Sequence, residues 1–437
     1  MSPTKNIDEV AKINATECTP SENLLHHVSA IKTPFKIFIY DLPPKFNMDL
    51  IQCLQPADTT GGCYSLQNCG MGQNLFNITD KMYVMDTHMF SLEVVLHHKL
   101  LFSTYRTMDP LKADVFYIPA YGGLRCLCRQ PDRSVDSFVD ELLSFLNKQP
   151  YFHMGKPHFS SAGKIQREMQ WVGCQYLPRL IRKNITFFSI EKETQTSSAH
   201  SFLRVSDFVI SAPYPSYIHY VNGRESSKRR DIPDLSNRDV IILLAAGRRR
   251  SNPDRARIMD QFSVQTTQEY SKYKDTRSSN PRFDMIFYYT DECRKGPRLG
   301  TVPWMMHSVF CLQPPGDSPT RKSFFDALLS GCIPVLFPYD NHKSAWPFTD
   351  FLPYNEFTVT IRLSKFLANS EKVLDTLKEI PTSEIQRLHN NVLKVSQWFQ
   401  YSVPNEDLEE PNDAMLYIFK ELQRQYHLGV PEQYKKV

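Results

Sequence analysis

Residues 310–335 read FCLQPPGDSPTRKSFFDALLSGCIPV, and this stretch decides the fold. Two apolar runs, 308–312 and 333–337, predict buried strands. Between them lie a loop of Gly, Ser and Pro residues and an apolar helix whose first turn holds Arg321 and Lys322. A strand, a loop, a helix and a second strand in that order indicate a βαβ unit, which builds a parallel sheet.

The same alternation continues on both sides of this unit. Further strands are predicted at 35–40, 113–119, 186–190, 207–210, 239–246 and 282–289. Helices are predicted over 82–105, 135–146, 384–400 and 412–426, with another starting near Pro253. The pattern therefore predicts an α/β protein with mainly parallel sheets.

Length and one polar segment predict two domains. At 437 residues and 50.8 kDa, the chain is longer than one hydrophobic core usually organises. The segment 221–238 is charged and almost empty of apolar side chains, as a linker is. We predict a flexible tail or stem remnant at 1–30, an N-terminal domain at 31–220, this linker, a C-terminal domain at 239–380, and helices at 381–437 that pack back across the domains.

Composition excludes several classes of function. The net charge of +4 is too small to indicate a nucleic-acid partner. Neither domain has a G-x-G-x-x-G turn after its first strand, which argues against a nicotinamide-dependent dehydrogenase. No run of about 18 apolar residues is present, and the first residues lack the charged and apolar regions of a signal peptide.

Cysteines and glycosylation sequons favour a secretory lumen. Ten cysteines are many for a cytosolic enzyme, and no pair has the spacing of a zinc finger, so disulfides are favoured. Sequons of the type Asn-x-Thr occur at Asn14, Asn77 and Asn184, and the last two are the predicted glycosylation sites. No cluster of metal ligands is found.

The loop before the central helix is suited to an anion. A helix N-terminus offers free N–H groups and the positive end of the helix dipole, which favour a diphosphate. Arg321 and Lys322 oppose that dipole, so an anionic ligand would offset their repulsion; the alternative is a solvated helix start with two cations. We predict that the Asp326 carboxylate accepts hydrogen bonds from two ribose hydroxyls, and the alternative is a surface acid.

A second cluster of cations follows the strand 239–246. Gly247 ends that strand, and Arg248, Arg249, Arg250 and Arg255 follow it. Ligands of open α/β sheets bind at the carboxyl ends of the strands. Arginine binds a diphosphate with two parallel hydrogen bonds, so transfer without a metal ion is chemically reasonable here. The alternative is that most of these arginines are surface charge.

Four segments together resemble one known family. They are KIFIYDLPPKFN at 36–47, ADVFYIPAYGGL at 113–124, PYPSYIH at 213–219 and the stretch 310–335. In this order they are similar to the exostosin family, glycosyltransferase family 47, across roughly residues 35–370. The version GDSPTRKSFFD resembles the plant xyloglucan galactosyltransferase branch of that family.

The resemblance implies a fold and an activity. The implied fold is GT-B, with two Rossmann-like domains whose mainly parallel sheets face a central cleft. The implied activity is inverting, metal-independent transfer of a sugar, with galactose expected, from a UDP-sugar to a wall or matrix polysaccharide such as xyloglucan. No cofactor is implied beyond the UDP-sugar co-substrate, and other glycosyltransferases are implied as partners in complexes. The implied location is the Golgi lumen, as a type II membrane protein, although no anchor is seen in this chain.

Individual residues also carry over from the family. Arg255 and Asp326 match its donor-binding arginine and its ribose-binding acid, and Cys311 and Cys332 match a disulfide pair. Two positions depart from the family pattern, because Ser323 replaces an arginine and Pro157 replaces an aspartate. The predicted donor-site residues are Gly247, Arg248, Arg255, Gly316, Asp317, Ser318, Thr320, Arg321, Ser323 and Asp326.

An inverting transfer requires a base beside the acceptor hydroxyl. His158 and Glu93 are the predicted candidates in the N-terminal domain, and a hydrogen-bonded core or helix-cap role is the alternative for each. A catalytically silent scaffold partner of an active glycosyltransferase is the alternative for the whole chain. The departures at Pro157 and Ser323 are the observations that favour the scaffold.

Overall fold

The computed structural model describes most of the chain between residues 33 and 428. The described residues are 33–54, 66–79, 82–128, 135–170, 174–181, 183, 185–193, 208–220, 232–247, 253–262, 283–289, 301–316, 318–338, 346–364, 366, 372–403 and 412–428. The predicted tail at 1–30, most of the predicted linker, and the predicted site residues Arg248, Asp317 and Asn184 lie outside them.

Fourteen strands are present in this part of the chain. They are β1 Ile37–Ile39, β2 Asn74–Thr79, β3 Met82–Met85, β4 Arg106–Thr107, β5 Val115–Ile118, β6 His158–Ile165, β7 Ile185–Glu191, β8 Val209–Ser211, β9 Ile218–Tyr220, β10 Val240–Ala246, β11 Phe283–Tyr289, β12 Ser308–Gln313, β13 Ile333–Leu336 and β14 Val359–Thr360.

The α-helices of the same residues separate most of the strands. They are α1 Met48–Leu54, α2 Leu92–Leu101, α3 Gly122–Leu127, α4 Val135–Leu146, α5 Pro150–His153, α6 Tyr176–Ile181, α7 Pro253–Met259, α8 Thr301–Met306, α9 Lys322–Leu329, α10 Val373–Lys378, α11 Thr382–Val395 and α12 Ala414–Tyr426. None of these helices combines the length and the apolar composition that a membrane crossing requires.

The first sheet has six strands in the order β4-β1-β5-β6-β7-β8, and every neighbouring pair is parallel. Alternate side chains of β5 point to opposite faces, as the period of two requires. Val115 and Tyr117 pack towards α2, while Phe116 and Ile118 pack towards α4 and α6. Helices therefore cover both faces, which explains why the strands are apolar throughout.

The second sheet has five strands in the order β11-β10-β12-β13-β14, again all parallel. In each sheet the first strand lies between the second and the third, so the connections leave in opposite directions from that point. The carboxyl edges of the two sheets face each other, because Glu191 at the end of β7 contacts Ser318 and Thr320 in the loop after β12. The α/β class and the two Rossmann-like units of a GT-B fold are confirmed.

A small antiparallel sheet corrects one sequence prediction. The helix predicted over 82–105 is present only as α2, from Leu92 to Leu101. Residues 82–85 form β3 instead, which pairs with β2 on one side and β9 on the other. The apolar side chains of Met82 and Met85 have helical spacing with those of α2, but long-range pairing overrides that local pattern.

The end of the predicted linker is part of the second domain. Arg238 is 2% exposed, and its guanidinium donates to the carbonyls of Pro233, Met305, Ser308 and Ser330. Burial lowers the pKa of Arg238 to about 9. Backbone carbonyls and the nearby carboxylate of Asp234 compensate the buried charge. The domain boundaries themselves stay predictions.

Disulfides join segments that are distant in the sequence. Cys311 in β12 bonds Cys332 beside β13, which is the pairing that the family resemblance implied. In the N-terminal domain, Cys53 bonds Cys128 and Cys126 bonds Cys174, so α1 and α6 are both tied to α3. Cross-links of this kind are typical of proteins that fold in an oxidising compartment.

The last helix, α12, contacts both domains. Its Phe419 ring lies 4.4 Å from that of Tyr105 in the first domain, and its Tyr417 ring lies 5.2 Å from that of Phe348 in the second. At its start, buried Asp413 forms an ion pair with Lys99 of α2 at 2.7 Å and caps the helix by accepting from the Met415 N–H.

The buried ion pair between Lys99 and Asp413 leads to a prediction about stability. Asp413→Asn is expected to lower the free energy of unfolding by about 3 kcal/mol near pH 7, because the Lys99 charge is left without its partner. Burial acts to raise the pKa of Asp413, but Lys99 and the hydrogen bonds from Ser402 hold that pKa below its usual value. The difference between wild type and variant should therefore shrink as the pH falls below about 4.

Urea denaturation at pH 7 and at pH 3 measures this difference. Arg387→Gln is the control, because its exposed ion pairs with Glu384 and Glu356 are screened by water and should contribute little. An Asp413→Asn protein as stable as wild type at pH 7 would show that the ion pair between Lys99 and Asp413 does not stabilise the fold.

Candidate functional site

The two predicted donor loops are adjacent. Gly247 follows β10 and Gly316 lies in the loop after β12, and β10 and β12 are neighbours at the point where the strand order of the second sheet reverses. The guanidinium of Arg321 donates to the carbonyl of Ala245 at 3.0 Å, so it joins the end of β10 to the start of α9. This is the position in open α/β sheets where ligands bind.

Two arginines surround the Gly316 loop. A Cβ atom at Gly316 would lie 3.9 Å from a terminal guanidinium nitrogen of Arg255 and 3.7 Å from Cγ of Arg321. Arg255 is only 5% exposed, and it comes from the helix α7 that follows the β10 loop. Two cations and the N-terminus of α9 therefore converge on one loop, which is an arrangement suited to a diphosphate.

Lys322 and Asp326 form a buried pair one turn apart in α9. The Lys322 ammonium lies 3.0 Å and 3.1 Å from the two carboxylate oxygens of Asp326. Asp326 is 2% exposed, which excludes the alternative of a surface acid. Lys322 therefore has an internal counter-charge, so the sequence argument that it requires an anionic ligand is wrong.

Asp326 also contacts the other domain. One of its oxygens accepts from the Ser216 hydroxyl at 2.7 Å and from the Tyr217 N–H at 2.9 Å. The carboxylate thus holds the segment between β8 and β9 against α9. Its role as a ribose acceptor stays a prediction, and an Asp326→Ala variant would disrupt the domain contact as well as any ribose contact.

Ser323 is bound within its own domain. Its hydroxyl donates to the side-chain oxygen of Gln313 at 2.6 Å, and the Gln313 amide donates to the Ser323 carbonyl at 3.3 Å. The start of α9 is therefore tied to the end of β12 at the position where the family carries an arginine. Among the residues seen here, Arg321 and Arg255 supply positive charge to the loop in its place.

Sequence reasoning missed Glu191, the last residue of β7. One of its carboxylate oxygens accepts from Ser318 Oγ at 2.8 Å, from the Thr320 N–H at 2.9 Å and from Thr320 Oγ1. Glu191 is 2% exposed, and burial raises its pKa against the lowering effect of Thr320 and Ser318. The available signal was an acid at the carboxyl end of an apolar strand, which is the ligand-binding edge of a parallel sheet.

His158 lies within the core of the first domain. It starts β6, and its ring nitrogens make hydrogen bonds with Tyr40 Oη at 2.9 Å and with the Lys156 carbonyl at 2.5 Å. Its ring stacks on those of Tyr40 and Phe116. Burial lowers the pKa of His158 to about 4, so the imidazole is neutral at pH 7. These contacts favour the core role, and a catalytic role stays a prediction.

Glu93 lies at the ligand-binding edge of the first sheet but is fully buried. Its carboxylate accepts from the backbone N–H groups of Gly123 and Leu124 at 2.7 Å and 2.9 Å, at the start of α3. A Cβ at Gly123 would lie 2.9 Å from the Gly163 nitrogen, so glycine permits this close approach. Burial raises the pKa of Glu93 to about 8. These contacts favour a helix-cap role.

Two further predictions concern metals and glycans. Within the residues that the structure describes, no group of three or more His, Cys, Asp or Glu side chains is placed to hold a metal ion. Asn77 is exposed on β2, where its side-chain oxygen accepts from Asn74. A glycan at Asn77 therefore has room, and its presence stays a prediction.

Comparison with known proteins supplies independent information. Residues 31–377 match the family model of the Exostosin GT47 domain. The Arabidopsis thaliana protein named "Probable xyloglucan galactosyltransferase GT15" is 30% identical over 394 residues, which are 84% of this chain and 77% of that protein. "Xyloglucan-specific galacturonosyltransferase 1" of the same plant is 29% identical over 343 residues, or 75% of this chain and 47% of that protein.

Solved structures are more distant. An α-glucosyltransferase (AGT) in complex with UDP aligns with a TM-score of 0.35 and 10% identity, over 71% of this chain and 80% of that one. An alignment with this score carries no argument.

The contacts of Glu93 predict how its variants behave. Glu93→Ala is expected to lower the free energy of unfolding by about 2–4 kcal/mol, because two buried N–H groups lose their acceptor. Glu93→Gln retains an acceptor oxygen and should be less destabilised. Urea denaturation of both variants measures the effect. A Glu93→Gln protein with wild-type stability whose kcat falls about a thousandfold would instead identify Glu93 as the catalytic base.

Proposed function

The chain belongs to the exostosin family of glycosyltransferases, and from this premise we propose that it transfers galactose from UDP-galactose to a cell-wall polysaccharide such as xyloglucan. The transfer inverts the anomeric centre and requires no metal ion. The donor binds to the second domain, and the acceptor enters the cleft from the first.

One observation carries this proposal. Arg255, Arg321 and the N-terminus of α9 converge on the Gly316 loop, at the point where the strand order of the second sheet reverses. A nucleotide diphosphate has the charge and the acceptor oxygens that these groups would bind. The same groups would stabilise the charge that develops on the diphosphate as it leaves, which is the task that a metal ion performs in other transferases.

The chemistry is a single displacement at the anomeric carbon. The acceptor hydroxyl oxygen forms the new glycosidic bond while the bond from the anomeric carbon to the diphosphate oxygen breaks, and the hydroxyl proton passes to a base. The two arginines act on the leaving group. The contacts of His158 and Glu93 are internal, so the proposal gives the role of base to neither residue.

The names of the relatives support the choice of galactose as the transferred sugar. One of the two relatives described above is named a probable xyloglucan galactosyltransferase, and the other is named a xyloglucan-specific galacturonosyltransferase. Galactose and galacturonate differ only at C6, where a hydroxymethyl group replaces a carboxylate. A single cation in the sugar pocket is sufficient to discriminate between them.

A scaffold that binds no donor is the second candidate. Its support is that polar groups of the predicted donor site are already satisfied inside the protein, since Asp326 pairs with Lys322 and the Thr320 N–H donates to Glu191. Such a protein would fold without binding UDP. Calorimetric titration with UDP therefore separates the two candidates.

We also propose the Golgi lumen as the location, as a type II membrane protein, and other glycosyltransferases as partners. The disulfides between described cysteines support an oxidising compartment, and exposed Asn77 is accessible to glycosylation.

The transfer assay tests the proposal directly. Purified protein is incubated with xyloglucan oligosaccharides and, in separate reactions, with UDP-galactose, UDP-galacturonate, UDP-xylose or GDP-fucose, each with and without EDTA. We expect galactose transfer from UDP-galactose at a rate that EDTA does not change, because arginines stabilise the leaving group. Mass spectrometry and NMR of the product measure the transfer and the anomeric configuration.

Each alternative outcome corrects a defined part of the proposal. Loss of transfer in EDTA with recovery in Mn²⁺ would contradict metal independence. Transfer from UDP-galacturonate alone would correct the donor. A folded protein that neither binds UDP nor transfers any sugar would support the scaffold.

A further inference from the structure

Glu191 connects the first domain to the donor loop of the second. It ends β7 at the carboxyl edge of the first sheet, and its side chain crosses to the loop that precedes α9. The three hydrogen bonds from Ser318 and Thr320 converge on a single carboxylate oxygen. The contact is therefore a specific bond between domains and not a chance approach of two surfaces.

The contact controls the part of the loop that leads into the helix. Ser318 and Thr320 lie on either side of Pro319, whose ring restricts the backbone and removes one N–H group. Fixing both neighbours of this proline fixes the path of the chain into Arg321, the N-cap residue of α9. Because Arg321 reaches back to the Ala245 carbonyl, the position of its guanidinium depends on that path.

The location of Glu191 separates it from the base of the reaction. In an inverting displacement, the base lies on the side of the anomeric carbon opposite to the leaving group. Glu191 instead bonds to the loop that is proposed to hold the diphosphate, which is the leaving group. Its buried oxygen already accepts three hydrogen bonds. Its role is therefore in holding the donor site.

We propose that Glu191 is a positioning residue for the donor: its carboxylate, supplied by the first domain, holds the Ser318–Thr320 segment of the second domain in the geometry that binds the diphosphate. This inference rests on the proposed function. It deepens that function by making the donor site a property of both domains, because the second domain alone lacks the acceptor that orders its loop.

A second buried carboxylate provides a matched control. Asp413 is 1% exposed, accepts hydrogen bonds from Ser402 and Met415, and joins the C-terminal segment to the first domain through Lys99. It resembles Glu191 in burial and in the number of its bonds, but none of its contacts involves the donor loop. Asp413→Asn should therefore affect stability without changing donor affinity.

The experiment compares UDP binding by wild type, Glu191→Ala, Glu191→Gln and Asp413→Asn. Calorimetry is performed at a temperature where thermal denaturation shows each protein to be folded. We expect Glu191→Ala to raise the Kd for UDP about tenfold. Without the carboxylate, the Ser318–Thr320 segment must be ordered during binding, which costs free energy. Glu191→Gln, which keeps an acceptor oxygen, should remain within about threefold of wild type or bind more tightly, because it removes a negative charge near the diphosphate.

Steady-state kinetics provide a readout that a purely structural role would not move. In Glu191→Ala, the KM for UDP-galactose should rise by about the factor seen in the Kd, while kcat of the saturated enzyme falls less than about threefold. Asp413→Asn should leave both constants at their wild-type values. Equal losses of kcat in the Glu191 and Asp413 variants would overturn the inference.

Variants on the loop side keep the inference testable if Glu191→Ala does not fold. Thr320→Val and Ser318→Ala remove donors to Glu191 while the carboxylate remains, and both should weaken UDP binding in the same direction. UDP affinity unchanged in the Glu191 and loop variants, with wild type binding UDP normally, would overturn the inference alone. Wild type that is folded and does not bind UDP would overturn the proposed function, and the inference with it.

Discussion

The start of α9 is held between the two domains by a pair of buried carboxylates, Glu191 and Asp326, and each accepts hydrogen bonds from the opposite domain. Glu191 of the first domain binds Ser318 and Thr320, and Asp326 of the second binds Ser216 and Tyr217. Burying these charges is costly unless they are well hydrogen-bonded, so the two domains must keep the relative position that provides the donors. The positions of Arg255 and Arg321 around the Gly316 loop therefore depend on the relative position of the two domains.

Much of the fold could be predicted from the sequence because apolar runs mark buried parallel strands. The run 239–246 corresponds to β10, and the helix predicted over 135–146 is present with those bounds. The error at 82–105 has a physical origin. Met82 and Met85 of β3 continue the helical spacing of the apolar residues in the following helix. Their pairing with the adjacent β2 and with the distant β9 makes them a strand instead.

The parts of the site that are formed by residues close together in the sequence could be predicted. A loop that joins a strand to a helix N-terminus, with arginines beside it, is visible in the sequence around Gly316 and Arg321. The position of Glu191 at the carboxyl end of an apolar strand was a signal for a site residue, but its partners were not predictable, because they are more than a hundred residues away. Lys322 shows the opposite case, since its pairing with Asp326 at a spacing of four residues was open to prediction.

The central claim is that a donor diphosphate binds at the start of α9, between the arginines. Hydrogen–deuterium exchange with and without UDP tests this claim most directly, because it reports where the ligand lies without altering any residue. The account predicts slower exchange on UDP addition in peptides that cover Arg321 to Asp326 and the end of β10, together with peptides that contain Glu191. Slower exchange confined to other parts of the protein, with no change in these peptides while UDP is bound, would contradict it.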